Sequence, residues 1–348
     1  MSVRPFAPIV LSALFLTSPP ASAQGPGGRG GAPELPPSTN VAGVLAVVHT
    51  VVDLDRSLVF YRDVFGLVPS QSSGPFTADP ELRKAAGIPD LKTRAATLEI
   101  PGAAFRLRLV EFQGGRKEVR KWQVLNPGNV NLNFAVREID AAVAAAKKLG
   151  ATSLTTGGLP MVRGQASRAT WAIFMQDPDG YEFEMEQTIP ARDSSLPADS
   201  KVLGASLGIS VSDGEKLMAF YQGLGFSTRL GAAFAAPSDG VGMGLLGAEW
   251  GRLRASSINI TEPRTAFFVF EIRGLEGRQD NPRFSLQDVG ANGISLKVDD
   301  IAKALSAITA GGGTVLSQGG AATTVGSTKV AWATDPDGRF WELVQTKP

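Results

Sequence analysis

The chain has 348 residues, enough for two ordinary domains, and its 34 basic and 33 acidic residues are spread evenly along it. That balance excludes an electrostatic footprint for nucleic acid. The lack of cysteine excludes disulfides, thiolate metal sites and a lipid-modified N-terminal cysteine, and the one histidine comes with no serine-centred nucleophile elbow.

At the N-terminus, Arg4, the apolar run PIVLSALFLT and the small-residue ASA at 21–23 read as an export signal ending before Gln24. The run is about ten residues, half of the ~20 that span a bilayer. An exported, periplasmic or secreted protein is expected, with no stable membrane span once 1–23 is removed. Residues 24–40, QGPGGRGGAPELPPSTN, have no apolar periodicity and are expected to form a disordered Gly/Pro tether. Their glycines follow no strand, so a phosphate-loop reading fails.

Residues 44–65 read as a strand and an amphipathic helix, with Leu54, Leu58, Tyr61 and Phe65 at helical spacing and Asp53 at the N-cap. Short alternating strands follow, RAATLEI and AFRLRLVEF, around the IPG turn. The basic GGRKEVRKWQ at 114–123 reads as a solvated linker. A second strand and helix at 130–149 carries Ile139, Val143 and Ala146, and ATWAIFM and YEFEMEQ flank the turn DPDG.

The chain then repeats itself. VVDLDRSLVFYRDVFGL at 51–67 matches VSDGEKLMAFYQGLGF at 211–226, and FAVREIDAAVAAAKKLGAT at 134–152 matches LKVDDIAKALSAITAGGGT at 296–314. DPDGYEFEMEQ at 177–187 matches DPDGRFWELVQ at 335–345. The expected organisation is a signal (1–23), a tether (24–40), one repeat (41–189), a linker (190–201) and a second repeat (202–348).

A βαβββ half used twice per repeat, with a DPDG hairpin and a glutamate on the last strand, resembles the vicinal oxygen chelate superfamily. That group includes glyoxalase I, bleomycin-resistance proteins and extradiol dioxygenases. The resemblance implies an α+β fold of two tandem modules, each a pair of βαβββ units forming a half-open barrel. Metal-dependent members place one ligand from each of four strands at the barrel floor. The usual histidine, seven residues before each capping acid, falls here on Ala46, Asn131, Ser206 and Gly293. The usual carboxylate falls on Arg108 and on Glu184 and Glu342, with Glu271 a candidate in the second repeat. One histidine cannot supply such imidazole sites. No cofactor is expected; the alternative is a carboxylate-bound divalent metal with Glu184, Glu271, Glu342 or His49 as ligands.

Strand alternation puts Glu182, Glu184 and Glu186 on one face and His49 on the face opposite Ala46. The resemblance's ligand positions imply that the glutamates and Ala46 face the cup, with His49 behind the sheet unless a bulge turns it inward. Arg106 and Arg108 share a parity, as do Asn131 and Asn133. Arg108 and Glu184 are expected to be neighbours in a cup of the first repeat. There they form either an ion pair that replaces the metal or a site for a small, anionic ligand, lined by Arg106, Arg108, Asn131, Asn133 and Glu184. The second cup, with Ser206, Ser210 and Gly293, is expected to be smaller-featured and more apolar. The leading expectation is metal-independent small-molecule binding by a monomer. The alternative is a lyase, isomerase or dioxygenase-like enzyme in which Glu184 or Glu342 is base or ligand.

Overall fold

The computed structural model describes residues 35–115, 119, 124–164, 169–191, 193–235, 241–248, 251–262, 264–275 and 284–346. The export signal, most of the tether, most of the basic stretch, Trp122 and Trp250 lie outside the described residues. Among the described residues no helix is long and apolar enough to cross a membrane.

Four βαβββ units follow one another. Unit one is β1 (Val41–Val51), α1 (Leu54–Phe65), β2 (Val68–Ser72), α2 (Pro80–Ala86), β3 (Thr93–Glu99) and β4 (Arg106–Phe112). Unit two is β5 (Val130–Val136), α3 (Ile139–Lys148), β6 (Thr152–Ser153), β7 (Met161–Arg163), β8 (Ala169–Gln176) and β9 (Glu182–Ile189). Unit three is β10 (Val202–Val211), α4 (Gly214–Leu224), β11 (Ser227–Arg229), α5 (Val241–Leu245), β12 (Arg252–Ile260) and β13 (Thr265–Arg273). Unit four is β14 (Asn292–Val298), α6 (Ile301–Ala310), β15 (Thr314–Val315), β16 (Thr323–Val325), β17 (Thr328–Thr334) and β18 (Phe340–Thr346).

The capping acids act as the sequence suggests. Asp53 accepts the amides of Asp55 and Arg56 at 2.9 and 3.1 Å, and Asp213 accepts that of Lys216 at 3.1 Å. Gly66 ends α1 in the left-handed conformation (φ 71°), which glycine adopts without strain.

The units assemble into two nine-stranded sheets, each made from a pair of units. Sheet I runs β15-β17-β18-β14-β1-β4-β3-β2, and sheet II runs β11-β12-β13-β10-β5-β9-β8-β6, with β16 and β7 paired to β17 and β8. Unit one therefore shares a sheet with unit four, through the antiparallel pair β1/β14, and unit two with unit three, through β5/β10. Each curved sheet is a cup whose floor crosses from one repeat to the other.

The main apolar core holds residues from both sheets together with α1, α3, α4 and α6. Alternation directs Val47, Leu107, Leu109, Leu132, Phe134 and Phe183 into it and their neighbours into the cups. Phe65 of α1 stacks on Phe134 of β5 with centroids 4.1 Å apart, so the helix of unit one packs against the strand of unit two. Burial of each such side chain contributes about 1.5–3 kcal/mol. The hydrogen-bonded sheets thus cross the repeats, while helix packing holds each repeat together.

Short helices cover one end of each cup. Leu82 and Ala85 of α2 pack on Val325 and Val330 of unit four. Met243 and Leu245 of α5 pack with Ala172 and Phe174 of unit two. The opposite end of each cup is left with the polar floor.

The two DPDG turns tie the layers together in different ways. In the second, the fully buried Arg339 donates to Asp335 at 2.5 Å, to the carbonyl of Ser210 at 2.6 Å, to that of Asn129 at 3.3 Å and to the Tyr221 hydroxyl. In the first, Tyr181 stands at the Arg339 position and stacks on His49, centroids 4.5 Å apart, with His49 Nε2 3.2 Å from Asp177. His49 lies behind sheet I, among the helices. Trp341 also faces the helices and is fully buried.

Candidate functional site

The floor of the sheet II cup is built by register. Ser206 stands opposite Asn133, which stands beside Glu184; Gly208 stands opposite Asn131. Asn131 donates from Nδ2 to Asn133 Oδ1, and Asn133 donates from Nδ2 to Ser206 Oγ at 3.4 Å. The Asn131 Oδ1 acceptor is buried without a partner. A Cβ on Gly208 would lie 2.2 Å from that oxygen, so a larger residue there would displace the Asn131 amide. Arg163 of β7 reaches Glu184 at 2.7 Å and Glu186 at 2.9 Å. Burial pushes the Glu184 carboxyl up from 4.5 to about 7; Arg163 opposes the rise and Glu186 adds to it. Burial also lifts Glu182 well above the carboxylate range, against the opposing Val124 amide and with Glu184 adding to the rise. Phe268 stands beside Gly208 on the same floor and is 52% exposed.

The sheet I cup has a different floor. Arg108 Nη2 meets Glu342 at 2.6 Å, and the Ser295 hydroxyl donates to the same Glu342 oxygen. Ala46 lies between Arg106 and Ser295, and Arg106 pairs with Glu99 at 2.6 Å. Outside both cups, a cavity of about 200 Å³ lies beside the first DPDG turn, lined by Arg56, Phe60, Leu149 and Pro178.

The fold agrees with that of known proteins. Residues 46–185 match a family model described as a glyoxalase-like domain. Glyoxalase I from Zea mays superposes with a TM-score of 0.55 at 21% identity, covering 87% of this chain and 92% of that one. Residues 46–185 thus form a glyoxalase-like domain, and the chain has the glyoxalase I fold. A putative dioxygenase from Bacillus subtilis superposes with a TM-score of 0.50 at 11% identity, covering 89% of this chain and 87% of that one. A search of curated proteins returns no match.

The expected site residues divide between two cups. Arg106 and Arg108 belong to the sheet I cup, and Asn131, Asn133 and Glu184 to the sheet II cup. The expected Arg108–Glu184 pair is corrected: Arg108 pairs with Glu342 and Glu184 with Arg163. The physical reason is that β1 pairs with β14 rather than with β5, which sends the two halves of the first repeat to different sheets. Glu271 is also corrected. It has the parity of Phe267 and Val269, faces the start of α4, and is held by Arg254 at 2.5 Å and Arg273 at 3.0 Å. The cup position on β13 is taken instead by Phe268.

Neither floor fits the superfamily's metal chemistry. One offers Ala46, Arg108, Gly293 and Glu342, the other Asn131, Glu184, Ser206 and Phe268, with no imidazole in either. By spacing alone a metal can sit elsewhere, among buried His49, Asp177 and Asp179, whose ligand atoms lie within 4.8 Å of one another. Their acceptors are largely in use. Asp177 Oδ1 takes the amides of Asp179 and Tyr181, both at 2.9 Å, and its Oδ2 takes the Tyr61 hydroxyl at 2.8 Å. Asp179 takes the Val52 amide, the Ser57 hydroxyl and Arg56. In the second repeat Asp335 pairs with the Arg339 cation; in the first, His49 Nε2 lies 3.2 Å from Asp177, and neither ring nitrogen has a hydrogen-bond partner.

Sequence reasoning missed Arg163, Ser295 and Phe268. Ser295 shares a face with Gly293, and Phe268 stands at the repeat position of Arg108, so both were within reach of parity and repeat alignment. Arg163 sits on a strand of three residues with no pattern of its own.

Proposed function

We propose that this is an exported protein that binds a small molecule in the sheet II cup without a transition metal. The observation that carries the reading is the polar floor of Asn131, Asn133, Ser206, Glu184 and Arg163, with the Asn131 oxygen buried and unpartnered. A buried acceptor left bare costs about 1–3 kcal/mol, which a ligand donor offsets. Phe268, exposed beside it, offers a face on which a ring can stack. With Arg163 balanced by Glu186 and Glu184 half-protonated near pH 7, this floor suits an uncharged ligand rich in hydrogen-bonding groups.

A second reading is favoured by one observation, the Glu184 carboxyl raised to about 7. A base poised there can take a proton from a carbon acid at neutral pH, with Asn133 and Arg163 holding the developing oxyanion.

The test is elemental analysis of residues 24–348 together with a thermal-shift panel of uncharged polyols, lactams and aromatic amides. Expected is no stoichiometric metal, and a stabilising compound class whose effect is lost when Gly208→Ala displaces the Asn131 amide. Stoichiometric metal lost in Glu184→Gln, or in His49→Ala, would contradict the metal-free reading.

A further inference from the structure

The two cups are built from equivalent strands, yet their floors differ in charge. On sheet I the open half of the cup carries Arg106 and Arg108 on β4 and Lys297 on β14. At the repeat-equivalent positions sheet II carries Ala266, Phe268 and Ala135. Among the described residues, the carboxylates paired with these cations are Glu99 and Glu342, which leaves one cation in excess.

The excess is placed where an anion can use it. The Arg108 side chain is 12% exposed; its Nη2 is committed to Glu342, but its Nε is buried without a hydrogen-bond partner. A charged donor left bare in a protein interior costs more than a neutral one, so the arrangement is unfavourable unless something fills it. Ser295 donates to the same Glu342 oxygen that Arg108 holds, which fixes the carboxylate against the strand and leaves the Nε edge of the guanidinium without a partner. Lys297 is one step further along the same face as Ser295, half-buried, and has no carboxylate partner among the described residues. Alternation gives the parity independently: Ile294, Leu296 and Val298 fill the main core, so Ser295 and Lys297 point away from it. Between the two cations the floor is small or short, with Ala46 on the neighbouring strand and Thr97 opposite Arg108.

We propose that the sheet I cup is a second ligand site, for the oxyanion of a small molecule, held between the free edge of Arg108 and the Lys297 ammonium. The shared chemistry is that of a carboxylate or a phosphoryl group: both offer the planar or tetrahedral oxygens that a guanidinium fork and an ammonium recognise. Glu342 keeps the guanidinium oriented and at the same time competes with the ligand for it. This site shares no side chain with the sheet II floor, and its fate is independent of the function proposed there.

The competition gives the test a sign. Isothermal titration of residues 24–348 at constant ionic strength would use acetate, benzoate and inorganic phosphate as probes. Expected is saturable one-site binding of at least one of them. Benzoate or acetate alone marks a carboxylate site, and phosphate alone a phosphoryl site. Lys297→Met weakens binding by about tenfold, the loss of one charge-assisted contact. Glu342→Gln frees Arg108 and tightens binding several-fold, roughly the reverse of such a loss. Lys329→Met, on the helix side of β17, leaves it unchanged. Arg108→Met is avoided as the deciding variant, because it strands Glu342 in the interior and endangers folding. Absence of saturable binding by all three probes overturns the proposal. So does binding that Lys297→Met leaves intact, or that Glu342→Gln weakens.

Discussion

Replacing Arg339 with methionine is expected to destabilise the protein by about 3–5 kcal/mol, the cost of removing one partner from a buried ion pair. Arg339 is fully buried against Asp335, Tyr221 and the carbonyls of Ser210 and Asn129, so it joins units two, three and four at one point. Without it, Asp335 keeps its charge in a dry environment and two carbonyls lose a donor. The double variant Arg339→Met, Asp335→Asn should recover part of the loss, since the stranded charge is gone. Urea unfolding of the single and double variants checks this. A loss no larger than that of the half-exposed Arg163→Met would mean that Arg339 is not the pin between layers.

Glu184→Gln is expected to change how stability depends on pH. The folded-state pKa, about 7, lies above the ordinary 4.5, so folding favours the protonated carboxyl. Below pH 4.5 both states hold the proton and no penalty exists. Between there and about 7 the unfolded chain ionises first, and stability falls as pH rises. Above about 7 the whole penalty is present, on the order of 3 kcal/mol. In Glu184→Gln that slope is removed, and the variant should overtake the native protein near neutral pH. Arg163 keeps Glu186 as a partner in the variant, which limits any loss from the broken ion pair. Parallel stability curves for the two proteins would show that Glu184 titrates as an ordinary, hydrated carboxyl.

Much of this architecture was legible in the sequence because it rests on local signals. Asp53 and Asp213 mark helix starts, DPDG marks turns, and the repeated phrases give four units with their strands. Alternation also gave the faces: His49 behind the sheet, Trp341 in the core, Asn131, Asn133 and Glu184 on one floor. What remained hidden was the choice of partner strand. Nothing local to β1 distinguishes β5 from β14, because both belong to repeat-equivalent opening strands with similar alternation. The pairing is set by how four helices fill the space between two sheets, a property of the whole core. The Arg108–Glu184 pairing failed for that reason alone, since both residues had been assigned to the correct positions in their own strands. Glu271 failed through a one-residue ambiguity, which in a strand reverses the face. The exchange of Arg339 for Tyr181, answered by His49 where the other repeat has Ile209, was written in the aligned repeats and becomes meaningful only once the turn is seen to dock on a helix.

The central claim is that each cup crosses the two repeats, and a double-mutant cycle in urea tests it most directly. Arg108→Met is combined with Glu342→Gln in one cycle and with Glu184→Gln in another. Expected is a coupling of about 1 kcal/mol or more between 108 and 342, and additivity within about 0.5 kcal/mol between 108 and 184. Coupling of Arg108 to Glu184, with none to Glu342, would return each cup to a single repeat and contradict the arrangement described here.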